Sequence, residues 1–190
     1  MSNRNIMTIC LATTDREIQE IRDLQEVNLK ENVTAENRLS DGFLTAKYEL
    51  DLLKAMNDLT PAIIAKQNGL VVGYALATDR SLLAQHPLLK DLGAQINKIP
   101  FEGKFVDDFD YLVVGQLCVA KEVRSRGLAQ DLYVQFKATY ENRYPFAVTD
   151  VDRENLASLK IHQKVGFQVV SMLQCGSSNW HVMIWDWRNH

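Results

Sequence analysis

A short turn at residues 124–129 has the residue types that would bind a phosphate group. It reads Arg-Ser-Arg-Gly-Leu-Ala, and it lies between an apolar run over residues 111–119 and a helical pattern that begins at Gly127. The first amides of a helix have no partner inside the helix, and the helix dipole adds partial positive charge at that end. Gly127 has no side chain to collide with a bulky phosphate. The turn therefore predicts an anion site, and we expect a nucleotide-like ligand.

The elements on either side of this turn predict a mixed sheet covered by helices. Apolar runs typical of strands occur at residues 7–12, 62–66, 70–76, 111–119, 146–151, 167–173 and 180–187. Helical spacing occurs at residues 15–32, 44–59, 127–143 and 154–164, and another amphipathic helix is predicted to start at Pro87. Loops are predicted at residues 32–42 and 101–110. This order indicates an α/β (α+β) fold with a central, largely antiparallel sheet of about seven strands and helices on both faces.

Two glycines mark local features of this sheet. Asn68 and Gly69 separate two apolar runs, and both residues tolerate the positive φ of a tight hairpin turn. Gly115 lies inside an apolar run, where a glycine is typical of a bulge or of a close approach by another main chain.

The composition predicts one globular domain over residues 1–190. Residues 81–110 are predicted to form a helical and acidic insertion between the third and fourth strands. Hydrophobic residues make up 46% and charged residues 24% of the chain, values that are ordinary for a globular protein. The net charge of −3 does not favour nucleic acid as a partner. No apolar run reaches about 20 residues, so neither a signal peptide nor a membrane span is expected.

The three cysteines are Cys10, Cys118 and Cys175. Their number is odd and their spacing is wide, which predicts neither a disulfide framework nor a metal site. A reduced, cytoplasmic compartment is the simplest expectation. Cys118 lies in a predicted strand, where a small buried residue is more common than a covalent nucleophile.

The turn and a second motif together resemble a known family. The second motif, residues 155–167, reads Asn-Leu-Ala-Ser-Leu-Lys-Ile-His-Gln-Lys-Val-Gly-Phe and is similar to the pattern Asn-x-x-Ser-x-x-Phe-Tyr-x-Lys-x-Gly-Phe. The turn matches Arg-x-x-Gly-x-Ala, and the two motifs occur in the right order on the right elements. From about Ile9 to Trp187, the chain resembles the GNAT (GCN5-related N-acetyltransferase) superfamily.

The resemblance implies acetyl-CoA as the acyl donor. In this family two neighbouring strands splay apart, and the pantetheine arm enters the gap like an extra strand. The residues implied to bind acetyl-CoA are Leu117, Cys118 and Val119 for the arm, Arg124, Ser125, Arg126, Gly127, Leu128 and Ala129 for the pyrophosphate, and Asn155 and Ser158 beside the arm. The implied reaction is direct transfer of the acetyl group to a primary amine, with both substrates bound together.

Proton transfer is where the chain departs from the family. His162 occupies the position of the family's tyrosine, and it is a candidate general acid for the leaving thiolate. The alternative is a polar helix residue with no proton role. Many members carry a glutamate on the fourth strand, but residues 111–120 contain no carboxylate, and Gln116 cannot take a proton. The candidate bases are Asp110, Asp108 and Tyr111 at the start of that strand, acting directly or through water, and the alternative is that the local acids form a solvated loop.

The acceptor amine belongs to a small molecule or to a protein, and a homodimer is possible. Two alternatives to an N-acetyltransferase are an acyl-CoA-binding sensor with little catalysis and a family member that uses another acyl donor.

Overall fold

The computed structural model describes residues 7–175 and 178–188, and residues 1–6, 176–177 and 189–190 of the predicted domain lie outside this description. The strands are β1 (Met7–Leu11), β2 (Ile63–Gln67), β3 (Leu70–Thr78), β4 (Pro100–Phe101), β5 (Lys104–Phe105), β6 (Leu112–Val119), β7 (Phe146–Asp152), β8 (Gln168–Cys175) and β9 (Ser178–Asp186). The helices are α1 (Asp15–Asn28), α2 (Ala35–Asp41), α3 (Leu50–Leu59), α4 (Arg80–Gln85), α5 (Pro87–Ile96), α6 (Leu128–Tyr140) and α7 (Leu156–Val165).

A seven-stranded sheet forms the centre of the fold, in the order β1-β2-β3-β6-β7-β9-β8. Every neighbouring pair is antiparallel except β6 and β7, which are parallel. The mixed, largely antiparallel sheet of seven strands predicted from the sequence is therefore confirmed. The remaining strands, β4 and β5, form a separate small hairpin.

The parallel pair β6–β7 is short, and the two strands then diverge. Leu112 pairs with Ala147 and Val113 with Val148, and no later residue of the two strands is paired. On the other side of β6 the register to β3 shifts, because Leu76 faces Gln116 whereas Ala77 faces Val114. Gly115 is the extra residue of this bulge, as predicted, and the bulge bends β6 where it leaves β7.

A hydrophobic core lies on each face of the sheet. On one face α1 and α3 cover side chains such as Tyr74 and Val148, and on the other face α6 covers side chains such as Ala75 and Ala147. Strand residues alternate between the two cores because successive side chains of a strand point to opposite faces. This alternation places Phe146, Val148 and Asp150 on one face of β7.

The structure corrects the helix predicted at residues 44–59, because α3 begins only at Leu50. Residues 42–49, which we call the crossing segment, are not helical and connect α2 to α3 past β6 and the start of α7. Their main chain is held by α1: the Leu44 N–H donates to the Asn28 carbonyl at 2.8 Å, and the Gln25 side chain bonds both the N–H and the carbonyl of Tyr48. These tertiary hydrogen bonds replace those of a helix.

Other boundaries also change. The helix predicted at residues 15–32 ends at Asn28, and the loop predicted at residues 32–42 contains α2. The insertion at residues 81–110 holds two helices, of which α5 starts at Pro87 as predicted, and the acidic loop predicted at residues 101–110 contains the β4–β5 hairpin. No helix in the described ranges has the length and apolar character needed to span a membrane.

Candidate active site

A cleft of about 420 Å³ opens where β6 and β7 diverge. Its walls are the second half of β6, the second half of β7 and the first turns of α7. The crossing segment covers one side, and the turn at residues 124–129 closes one end. Leu89 and Leu92 of α5 and Trp180 of β9 also line it. The cleft therefore joins the two sequence motifs that lie thirty residues apart in the chain.

The turn at residues 124–129 presents free main-chain donors. Ser125 and Gly127 have positive φ values of 61° and 82° on either side of Arg126, an alternation that turns successive N–H groups toward one side. Within the described ranges, none of the N–H groups of residues 125–129 has an acceptor. Ser125 and Ala129 line the cleft, whereas the Leu128 side chain lies in the core and Arg126 is exposed. This geometry suits a bound anion.

The Arg124 side chain forms hydrogen bonds and an ion pair within the protein. Its Nε donates to the Val119 carbonyl at 2.9 Å, and its guanidinium bonds Asn28 Oδ1 and lies 3.1 Å from a carboxylate oxygen of Asp41. The side chain thus joins the end of β6 to the ends of α1 and α2. Its predicted contact with a phosphate would compete with the ion pair to Asp41.

Asn155 is the N-cap of α7 and also holds the crossing segment. Its Oδ1 accepts from the Ser158 N–H at 3.3 Å, which satisfies one free amide of the helix. Its Nδ2 donates to the Phe43 carbonyl at 2.7 Å. Asn155 and Ser158 both line the cleft, so the second motif lies beside it.

His162 lines the cleft, yet both of its ring nitrogens form hydrogen bonds with other residues of the protein. Nδ1 lies 2.7 Å from the Ser158 carbonyl, which can only accept, so Nδ1 carries the proton. Nε2 lies 2.6 Å from the Tyr133 hydroxyl and accepts from it. Burial lowers the pKa of His162 to about 4, so the ring is neutral at pH 7. The geometry favours the alternative to a general acid, a histidine that joins α7 to α6.

The predicted arm-binding residues lie on the diverging half of β6. Leu117, Cys118 and Val119 all line the cleft. Burial raises the pKa of the Cys118 thiol to about 12, so it is protonated at pH 7 and is not an activated nucleophile. Gln116 is buried. Its side-chain amide donates to the Ala46 carbonyl and accepts from the Tyr74 hydroxyl.

Asp110 lies away from the cleft. It is exposed and precedes β6, so roughly 15 Å of strand separates it from Gly115 at the mouth of the cleft. Its acidic neighbours have structural roles: Asp107 pairs with Arg80, and Asp108 accepts from the Phe105 N–H. The structure therefore does not support Asp110 as the base and supports the alternative of an acidic loop.

Three carboxylates that the sequence analysis missed line the cleft, and one of them is Asp41 of α2. Asp150 and Asp152 lie on the diverging half of β7. Asp152 is 3.3 Å from Lys30, whereas Asp150 has no such partner among the described residues. The signal was available, because an aspartate inside an apolar strand is uncommon and calls for a reason.

The comparison with known proteins supports one assignment. Residues 22–167, more than half of the chain, match the sequence profile of the Acetyltransferase (GNAT) family. The chain belongs to the GNAT acetyltransferase family. Among curated protein sequences none matches it.

Solved GNAT structures share the fold at low sequence identity. A GNAT acetyltransferase from Streptococcus agalactiae is 22% identical, covers 95% of both chains and has a TM-score of 0.63. The protein yncA from Salmonella typhimurium, solved with its cofactor acetyl-CoA, is 18% identical over 97% of this chain and 96% of its own, with a TM-score of 0.63. Arabidopsis thaliana NAA60, solved with acetyl-CoA, is 13% identical over 96% of this chain and 100% of its own, with a TM-score of 0.65.

Proposed function

We propose that this GNAT protein is an acetyl-CoA-dependent N-acetyltransferase that moves an acetyl group directly to a primary amine. The observation that carries the proposal is the cleft between β6 and β7, which ends on the free amides of residues 125–129. A long ligand with a phosphate group at one end fits such a shape. Family membership and the two relatives solved with acetyl-CoA support the same donor.

Acetyl-CoA would supply a thioester as the acyl donor. The amides of residues 125–129 would bind its pyrophosphate. The edge of β6 at Leu117, Cys118 and Val119 would bind the arm through main-chain groups that have no partner on β7, apart from the Val119 carbonyl, which accepts from Arg124. Asn155 and Ser158 would flank the arm. A free thiol titrates near ~8.5, so the departing thiolate needs less help from an acid than an alkoxide would.

The acceptor would approach from the side of the cleft opposite the pyrophosphate. Leu89 and Leu92 of α5 and Trp180 of β9 form apolar parts of the wall, so the insertion at residues 81–110 would shape the acceptor site. The acceptor amine would belong to a small molecule or a protein.

The cofactor part of the proposal is tested by Gly127→Ala. This change should lower acetyl-CoA affinity at least tenfold in calorimetry, because a φ of 82° strains a residue with a side chain by about 1–2 kcal/mol and moves the amides. Gly69→Ala is the matched control, since Gly69 has the same φ of 82° in the β2–β3 hairpin and no atom within 4 Å of the added carbon. Equal affinity in both variants would contradict the proposed site.

The transfer part is tested by thiol release with a panel of amines. We expect release of CoA that depends on the amine and yields an acetylated product by mass spectrometry. Tight acetyl-CoA binding without any product would favour the sensor alternative, and turnover with only a longer acyl-CoA would favour another donor.

A further inference from the structure

One carboxylate lies in the cleft without a partner. Asp150 follows Phe146 and Val148 on the same face of β7, beyond the last residue pair with β6. It is half-buried and lines the cleft. Among the described residues, only its own main-chain N–H bonds its carboxylate. An unpaired acid at a half-buried strand position is costly, which points to a role in chemistry.

The polar side chain of β6 inside the cleft is Gln116. Its amide is held by the Tyr74 hydroxyl at 3.1 Å and by the Ala46 carbonyl, and an amide does not take a proton at any working pH. The strand that carries a glutamate in many family members therefore offers no base here. The carboxylate stands on the opposite strand of the same opening.

We propose that Asp150 of β7 is the group that takes the proton from the acceptor amine. This inference rests on the proposed function and adds the residue that makes the amine reactive. Its position on β7 places the proton acceptor across the opening from the edge of β6 that would hold the arm.

The charges around Asp150 support this assignment. The other ion-forming groups of the cleft are paired or neutral at pH 7: Asp41 is paired with Arg124, Asp152 is paired with Lys30, and Cys118, His162 and Tyr48 are uncharged. Burial raises the pKa of Asp150 to about 6. At pH 7 the carboxylate is thus mostly ionised, and it is a stronger base than an exposed aspartate.

The proton balance is simple. An alkylammonium acceptor gives one proton to Asp150, directly or through one water, and the neutral nitrogen attacks the acetyl carbonyl carbon. The C–N bond forms and the C–S bond breaks with its electron pair on sulfur. The nitrogen loses its second proton, one proton converts the thiolate to CoA, and Asp150 returns the other to solvent.

The test compares Asp150→Asn and Asp150→Glu with wild type. For an amine that wild type acetylates, Asp150→Asn should lower kcat by about 100-fold or more, because general bases contribute about 10²–10⁴-fold. The acidic limb of the kcat/KM profile, with an apparent pKa near 6, should disappear. Asp150→Glu should keep a higher kcat than Asp150→Asn and should keep the acidic limb of the kcat/KM profile. Calorimetry should show unchanged acetyl-CoA affinity in both variants.

A second acceptor separates a proton role from a structural one. With an amine whose conjugate acid titrates well below pH 7, the loss of kcat in Asp150→Asn should shrink at least tenfold, because little proton removal remains to be done. Asp110→Asn is measured in parallel. If Asp110→Asn removes the acidic limb and Asp150→Asn keeps it, the proposal is overturned in favour of the exposed aspartate.

A readout without an acceptor distinguishes this proposal from the proposed function. In protein labelled with ¹³C at aspartate carboxyls, one resonance that is missing in Asp150→Asn should titrate near pH 6. Titration near the ordinary value of about 4 would overturn the proposal even if the enzyme acetylates amines. Absence of amine-dependent turnover in wild type, with a resonance near 6, would instead refute the proposed function and the base role with it.

Discussion

At the residue scale, Glu17 is a carboxylate whose charge the fold stabilises. It accepts from the N–H groups of Thr13 and Thr14 at 2.9 and 3.0 Å, and it lies 2.7 Å from Lys66. Burial tends to raise its pKa, but the Lys66 and main-chain hydrogen bonds prevail and lower the pKa to about 2. The charged form is therefore favoured in the folded chain.

This residue predicts an acid-dependent loss of stability. A pKa that is lower in the folded chain contributes stability above the unfolded value of 4.5, and that contribution disappears as the pH falls toward 2. We expect Glu17→Gln to lose about 1–2 kcal/mol of unfolding free energy at pH 7 and much less at pH 3. Urea unfolding at both values measures the difference. An equal loss at both values would contradict the assignment.

Stability should also depend on pH through His162. Its pKa is lowered from 6.5 to about 4 by burial, so the unfolded chain takes up the proton first and stability falls as the pH drops from 6.5 to 4. We expect this residue to contribute about 2–3 kcal/mol to that fall. His162→Gln should flatten the unfolding free energy between pH 6.5 and 4.5. A curve as steep as that of wild type would show that the ring is not neutral and buried.

At the element scale, the crossing segment depends on Asn155. Asn155→Asp keeps the oxygen that caps α7 but loses the N–H donor to the Phe43 carbonyl, whereas Asn155→Ala loses both. We expect Asn155→Asp to increase amide hydrogen exchange at residues 42–49 with α7 still protected. Asn155→Ala should also cost about 1–2 kcal/mol of stability through the lost cap. Unchanged exchange at residues 42–49 in both variants would contradict the link.

At the scale of the whole molecule, the sheet consists of two parts joined by two residue pairs. The strands β1, β2, β3 and β6 form one part, and β7, β9 and β8 form the other. A ligand bound in the opening between β6 and β7 contacts both parts. Ligand binding should therefore stabilise the protein as a unit.

Acetyl-CoA at about 100 times its Kd should raise the unfolding free energy by about 2.7 kcal/mol. For a chain of this size that corresponds to roughly 5–11 °C in Tm. Thermal unfolding with and without acetyl-CoA measures the shift, and hydrogen exchange should show protection on both β6 and β7. Protection confined to one strand, or no shift at millimolar acetyl-CoA, would contradict a ligand that bridges the opening.

Local patterns were sufficient for much of this architecture. The apolar runs predicted all seven strands of the sheet, since a strand with a core on each face is apolar at successive positions. The Asn68-Gly69 turn and the Gly115 bulge follow from main-chain requirements. The free amides of the turn at residues 124–129 were also predictable, because the first N–H groups of a helix have no partner inside the helix in any fold. These features depend on neighbours in sequence.

Contacts between distant residues decided the rest. Residues 44–49 have helical spacing, yet hydrogen bonds with Gln25 and Asn28 hold them in a non-helical conformation. Asp150 lines the cleft and Asp110 does not, because the divergence of β6 from β7 determines which side chains face the opening. Sequence alone determined the order of strands and helices and the turn, since both arise from local spacing. Tertiary packing determined which titratable side chains line the cleft, since burial and pairing depend on elements far apart in the chain.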